Sequence, residues 1–171
     1  MLSWRVRVLP FLEQQQLYDQ FKHDEPWDSE HNKALLSKMP DCFKVDDGQV
    51  AGAGMTTLMA NGGPGGIISK PKGNGRRSYR GISYGQIPDG SSNTLLMINV
   101  PDSMAVEWTK PVEFAPDDTA LKLILSNRVS SLFADGSTRT IPEGISVEKF
   151  KTILTRNGGE RIDHTEFGAK Y

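Results

Sequence analysis

The 171-residue sequence is poor in the groups from which metal and redox sites are built. Its single cysteine, Cys42, excludes an intrachain disulfide and a thiolate cluster, and a lone thiol of this kind is expected in the interior. Histidine is scarce as well, with three residues in the whole chain. There is no long hydrophobic run. The start, MLSWRVRVLPFLEQ, interleaves charges with apolar residues, so neither a secretory signal nor a membrane span is expected. Charge of one sign is lacking too. Twenty Lys and Arg against 21 Asp and Glu leave a formal charge of -1, which argues against a general nucleic-acid or membrane-surface partner.

Turn formers are abundant instead. Seventeen glycines and ten prolines point to many turns and short strands rather than a helical bundle. The length suits one sizeable core, so residues 1–160 are expected to form a single domain, with 161–171 a polar tail. The organising stretch is Gly81 to Val100. Pro88-Asp89-Gly90 predicts a chain reversal, and Ser91, Ser92 and Asn93 are expected to satisfy local backbone groups. The apolar run from Thr94 to Val100 then predicts a central strand covered on both faces.

Around it the chain offers short elements. Ser3 to Val8 alternates, which predicts a half-buried strand with Arg5 and Arg7 facing solvent. Pro10 suits the first turn of a helix over about residues 10–21, burying Leu17, Tyr18 and Phe21. Asp28 or Ser29 caps a second helix that Pro40 stops, with Trp27 anchoring the link to the core. Asp46-Asp47-Gly48 reads as a turn, and Met55 to Met59 and Ala105 to Trp108 as strands. Thr119 to Leu125 fits a strand or a short helix, with Asp117 or Asp118 as its cap. Asp135-Gly136 between two β-prone segments predicts a two-residue hairpin turn joining Val129–Ala134 to Ser137–Ile141. Ser146 caps a last helix ended by Asn157-Gly158. The fold class is α+β: an antiparallel sheet with short helices packed mainly on one side.

No catalytic constellation is visible. His31 has Asp24, Glu25, Asp28 and Glu30 nearby in sequence, yet it sits in the first turn of an exposed helix, and neither it nor His23 has metal-ligand spacing. A hydrolase built on His31, Asp28 and Asp135 would use residues that turns and caps already explain. The glycine-dense Asn61–Gly66 lacks the Gly-Lys-Ser/Thr ending of a phosphate loop and reads as a flexible loop. Beyond it, Lys70, Lys72, Arg76, Arg77 and Arg80, with Tyr79 and Tyr84 close by, form a local basic run. Of these Lys70, Lys72, Arg76 and Arg77 are the candidates for gripping an anionic ligand, against the plainer reading of a solvated loop. No cofactor is expected.

Several segments in order carry a family resemblance. They are Leu2-Ser3-Trp4-Arg5-Val6, Leu9-Pro10-Phe11-Leu12-Glu13-Gln14, Leu17-Tyr18-Asp19-Gln20-Phe21, Asp24-Glu25-Pro26-Trp27-Asp28-Ser29, Asp89-Gly90-Ser91-Ser92-Asn93-Thr94, Trp108-Thr109-Lys110-Pro111, Phe133-Ala134-Asp135-Gly136-Ser137 and Leu154-Thr155-Arg156-Asn157-Gly158-Gly159-Glu160. Together they resemble DUF1559, a family expanded in planctomycete bacteria and once labelled a type of extracellular solute-binding protein. The resemblance implies a relative of type IV pilins and type II secretion pseudopilins, with a cleavable leader, a long apolar N-terminal helix and an extracytoplasmic β-rich head. This sequence begins where such a head is already under way, so membrane attachment would come only through a helix absent from it.

Two family positions differ. Leu125 stands where a histidine often precedes the Asp-Gly pair, and Asn99 where an acidic residue often follows the Asn-Thr strand, so no catalytic or metal role is carried over. Trp4, Trp27, Asp89, Gly90, Ser92, Asn93, Thr94, Trp108, Asp135 and Gly136 are read as structural. The resemblance implies a non-catalytic head domain, extracytoplasmic or at the cell surface, that self-associates or binds other proteins. A small-ligand-binding module is the alternative.

Overall fold

The computed structural model of the chain describes residues 1–44, 54–68, 82–160 and 167. In chain order the helices are α1 (Trp4–Arg7), α2 (Gln15–Tyr18), α3 (Glu30–Lys33), α4 (Asp118–Leu125) and α5 (Val147–Thr152). The strands are β1 (Met55–Thr56), β2 (Leu58–Ala60), β3 (Leu95–Asn99), β4 (Val106–Glu107), β5 (Val129–Phe133) and β6 (Thr138–Ile141). Short helices accompany antiparallel sheets, an α+β fold. The chain divides into two compact units, Met1–Leu58 with Val100–Val112, and Met59–Asn99 with Glu113–Tyr171.

The first unit is built on an aromatic core. Trp108 is fully buried, stacks on Phe43 with ring centroids 6.1 Å apart and meets the edge of Phe21 at 5.7 Å. Its indole N–H donates to the Leu36 carbonyl at 3.0 Å, and its backbone N–H to Gly54 at 3.1 Å. Leu2, Val6, Leu9, Leu17, Leu35 and Met39 close around this cluster, with Trp4 and Trp27 packed half-buried against it. β1 and β4 pair antiparallel, Met55 with Glu107 and Thr56 with Val106.

The predicted strand at Ser3–Val8 is instead helix α1. Ser3 caps it, its hydroxyl accepting the Arg5 N–H at 3.2 Å, and Arg5 is buried rather than exposed. Six alternating residues fit either period when the side chain on the supposed polar face has buried acceptors to meet. Arg5 has them: Nε reaches the Leu58 carbonyl at 3.2 Å, Nη2 contacts the same oxygen, and Nη1 donates to Ser3 Oγ at 3.2 Å. The guanidinium also lies 5.0 Å from the Trp4 ring centroid.

The helix expected over residues 10–21 is broken in two. A 3-10 turn, Leu9–Leu12, ends at Glu13, whose φ of 59° is the left-handed conformation, and α2 follows. The break lets Leu9 and Leu17 both enter the core. The helix expected after Ser29 is likewise short, α3 followed by a 3-10 turn at Leu36–Lys38, though Ser29 does cap it through the Asn32 N–H. Asn32 has no exposed surface and pins the preceding loop, accepting from Lys22 N–H and donating to the carbonyls of Lys22 and Pro26 at 2.9–3.0 Å. Cys42 lies on the surface, not in the interior. Partial desolvation of its sulfur, with Asp41 adjacent, nonetheless raises the thiol above its ordinary pKa.

The second unit holds a four-stranded sheet in the order β2-β3-β5-β6. β3 is interior to it, as the sequence predicted. Its pairing with β5 slips between Leu95 and Met97, leaving Leu96 as a bulge. The slip puts both Leu95 and Ile98 in the core although they are an odd number of residues apart, while Leu96 and Met97 are half-buried rather than fully covered. α4, a helix rather than a strand, is capped by the Asp117 carboxylate on Ala120 N–H at 2.8 Å and buries Leu121, Ile124 and Leu125. α5 is capped by Ser146 as predicted and buries Val147 and Phe150. Residues 61–68 are tightly folded, not a loose loop: Ile68 N–H closes onto the Asn61 carbonyl at 2.9 Å, and a Cβ on Gly66 would fall 2.7 Å from Asn61 Oδ1. The predicted turn at Asp46–Gly48 lies outside the described residues. Phe167, the described residue of the C-terminal stretch, is buried.

Two outcomes are expected in urea denaturation. Trp108→Ala should lose about 3–5 kcal/mol, because it empties a closed core and orphans the Leu36 carbonyl. Glu13→Gly should gain up to about 1 kcal/mol, since glycine takes the left-handed conformation without steric penalty.

Candidate functional site

The polar motifs of the second unit converge on one backbone junction. Pro88-Asp89-Gly90 does reverse the chain, with Gly90 N–H on the Ile87 carbonyl at 3.0 Å. Asn93 Nδ2 donates to the Asp89 carbonyl at 2.7 Å and Thr94 Oγ1 to the Gly90 carbonyl at 3.1 Å, so both side chains satisfy local backbone. The carbonyls of this stretch then receive the hairpin. Asp135 N–H reaches Ser91 O at 3.1 Å, Ala134 N–H reaches Thr94 O at 2.9 Å, and Arg139 Nη2 reaches Ser92 O at 2.9 Å.

The hairpin turn differs from the expected two-residue form. Phe133 N–H donates to Ser137 O at 2.9 Å and Gly136 N–H to Phe133 O at 3.0 Å, which makes a three-residue loop with Gly136 left-handed at φ 84°. Asp135 stiffens it by accepting from Ser137 N–H at 2.9 Å and Ser137 Oγ at 2.6 Å. Arg139 is buried with its guanidinium 4.2 Å from the Phe133 ring centroid.

The Arg156–Gly159 motif meets the same junction. Asp89 Oδ2 accepts Gly158 N–H at 2.7 Å, Oδ1 accepts Gly159 N–H at 3.0 Å, and Asp89 N–H donates to Arg156 O at 3.2 Å. Arg156 in turn holds the tight segment, Nη1 on Gly66 O at 2.7 Å and N–H on Gly65 O at 3.0 Å. Asn61, almost fully buried, bridges the carbonyls of Leu95 and Leu154 at 2.9 and 2.8 Å. Reading the sequence missed Asn61 and Arg139 as junction residues. Nothing in their neighbours marks them, because the groups they bond lie far away in the chain.

The histidine region belongs to the first unit. His31 Nε2 lies 2.8 Å from the Gln20 carbonyl, and His23 Nε2 lies 3.2 Å from the Tyr18 carbonyl, with the His23 ring tilted on Tyr18 at 4.3 Å. Lys22, Glu25, Glu30 and His31 line an open groove of about 420 Å³. Hydrogen bonding from Lys22, at 2.9 Å, and from Ser29 holds the Glu25 carboxyl below its ordinary pKa, with the charges of Lys22 and His31 adding to the effect. Asp28 is exposed, and Asp135 belongs to the other unit. Among the described residues no group of three or more His, Cys, Asp or Glu is placed to hold a metal ion. Leu125 helps line an open groove of about 360 Å³ where α4 ends and α5 begins, with Ser126, Ile145 and Val147. The candidate anion grip, Lys70, Lys72, Arg76 and Arg77, lies outside the described residues.

A family model described as a protein of unknown function, DUF1559 (SBP_bac_10), matches residues 1–124. The chain belongs to the DUF1559 family. The match takes in the tryptophan-bearing N-terminal block and the Asp89–Thr94 motif, and it ends within α4. The later motifs at Phe133–Ser137 and Leu154–Glu160 lie beyond it, tied to the matched part by the bonds of Asp89, Ser91, Ser92 and Thr94. No curated protein and no solved structure matches the chain significantly.

Asp89→Ala should destabilise this DUF1559 chain by about 1–3 kcal/mol in urea denaturation, because two backbone N–H groups lose a charged acceptor. Asp135→Ala should also destabilise the chain, because the Ser137 N–H and hydroxyl lose their acceptor in the hairpin turn.

Proposed function

We propose that this DUF1559 chain is a non-catalytic, pseudopilin-like extracytoplasmic head domain with a role in assembly or cell-surface interaction. The observation that carries the reading is how the motif side chains are used. Asp89 and Asn93 hold backbone groups, and Asp135 braces its own turn, so these polar residues act as scaffolding. Family membership supports the pseudopilin part of the reading only through what the resemblance implies. The surface of the first unit supports the interaction part. Phe11 is 86% exposed and Leu12 39%, an apolar pair at the tip of the 3-10 turn that Glu13 terminates.

The test is association of the purified chain, alone and with envelope extract of its source cells, followed by light scattering and cross-linking. Phe11→Ser with Leu12→Ser should weaken association about tenfold or more, since burying a large apolar side chain is worth about 1.5–3 kcal/mol. The Tm should barely move, because both residues are exposed in the folded chain. A strictly monomeric chain with no envelope partner overturns the proposal.

A further inference from the structure

We propose that Asn157 is a self-modification site, at which the Gly158 backbone nitrogen closes on the Asn157 side-chain amide with the Asp89 carboxylate as base. Gly158 carries no side chain to shield its nitrogen, and both residues are exposed. The Gly158 N–H already points at Asp89 Oδ2, 2.7 Å away, while Oδ1 is fixed by the Gly159 N–H at 3.0 Å. A base held within hydrogen-bond reach of the proton it must remove is the geometric requirement for general-base assistance. The Glu160 carboxylate lies over the same residue, on the side where a Cβ at Gly158 would stand.

The step balances without an oxidant or reductant. The nitrogen lone pair forms a bond to Asn157 Cγ as the N–H proton passes to Asp89. The tetrahedral carbon then expels the side-chain nitrogen as ammonia, which carries that proton away and leaves a five-membered imide. Water adds to either imide carbonyl and opens the ring to aspartate or isoaspartate. The net change is asparagine plus water to an acid plus ammonia. The isoaspartyl form adds a carbon to the backbone next to the amides that Asp89 grips, so modification loosens the 154–160 segment from the 89–94 turn.

The chain contains its own control. Asn61-Gly62 is the same dipeptide, but Asn61 is buried, its amide donates to two carbonyls, and Gly62 N–H donates to the Phe114 carbonyl at 3.1 Å, which cannot take up a proton. Asn74-Gly75 lies outside the described residues and is followed separately.

The folded full chain and the same chain in urea are incubated at neutral pH. Tryptic peptides are then followed by mass spectrometry for the amide-to-acid mass gain, with isoaspartate resolved by chromatography. Asn157 should convert faster in the folded chain than in urea, while Asn61 stays intact in the folded chain. Asp89→Asn should slow the folded-state reaction roughly tenfold or more, short of the ~10²-fold or greater effect of a fully aligned base. A folded rate at or below the unfolded rate overturns the proposal, as does a folded Asp89→Asn variant that reacts as fast as the parent. If that variant does not fold, the comparison of folded with unfolded parent chain decides alone.

Discussion

Every buried backbone N–H and carbonyl must find a partner, and in this chain regular structure supplies few of them. The longest described helix has eight residues and the longest described strands five. The ends of so many short elements leave carbonyls and amides unpaired inside the protein, each a penalty of about 1–3 kcal/mol if unmet. Side chains meet them instead. Arg5 takes the Leu58 carbonyl, Asn32 closes the Lys22–Pro26 loop, Trp108 caps the Leu36 carbonyl, Asn61 bridges Leu95 and Leu154, and Asp89 receives Gly158 and Gly159. Each of these is a polar group whose loss would be felt at two distant points of the chain.

This economy explains the character of the family motifs. Asp-Gly-Ser-Ser-Asn-Thr looks like a binding loop because it concentrates small polar residues after a glycine. Its Asn93 and Thr94 side chains turn inward on its own backbone, its Asp89 carboxylate takes the Gly158 and Gly159 N–H groups, and its carbonyls are given to the hairpin that carries Asp135 and Gly136. Three stretches far apart in the chain, around residues 89–94, 134–139 and 156–159, act as one fastening. The unshielded N–H of a glycine held by a carboxylate serves both that fastening and the chemistry inferred at Asn157.

The two units solve the packing problem differently. The first has little sheet and relies on aromatic contacts around Trp108, which need no regular register. The second relies on a sheet whose bulge at Leu96 shifts the register of the central strand, so that Leu95 and Ile98 are both buried. Helices of four residues such as α1 and α2 would not persist in isolation, and burial of Val6 and Leu17 is what keeps them.

Several features were legible in the sequence because their causes are local. Ser29, Asp117 and Ser146 mark helix starts through the hydroxyl or carboxylate that reaches the first free N–H groups, and Asp135-Gly136 marks a hairpin because glycine tolerates the left-handed turn. The apolar run after Asn93 identified the interior strand, and the ordered motifs identified the family. Tertiary structure alone decided the rest. Whether Trp4–Val8 would be strand or helix turned on the Leu58 carbonyl waiting for Arg5, 53 positions away in sequence. The break at Glu13 followed from the need to bury both Leu9 and Leu17, and the Leu96 bulge from the register with β5. Asp89 became a clamp through amides 69 and 70 positions along the chain. Local spacing fixes which backbone groups a side chain can reach nearby, whereas a distant acceptor exists only once the fold has brought it there.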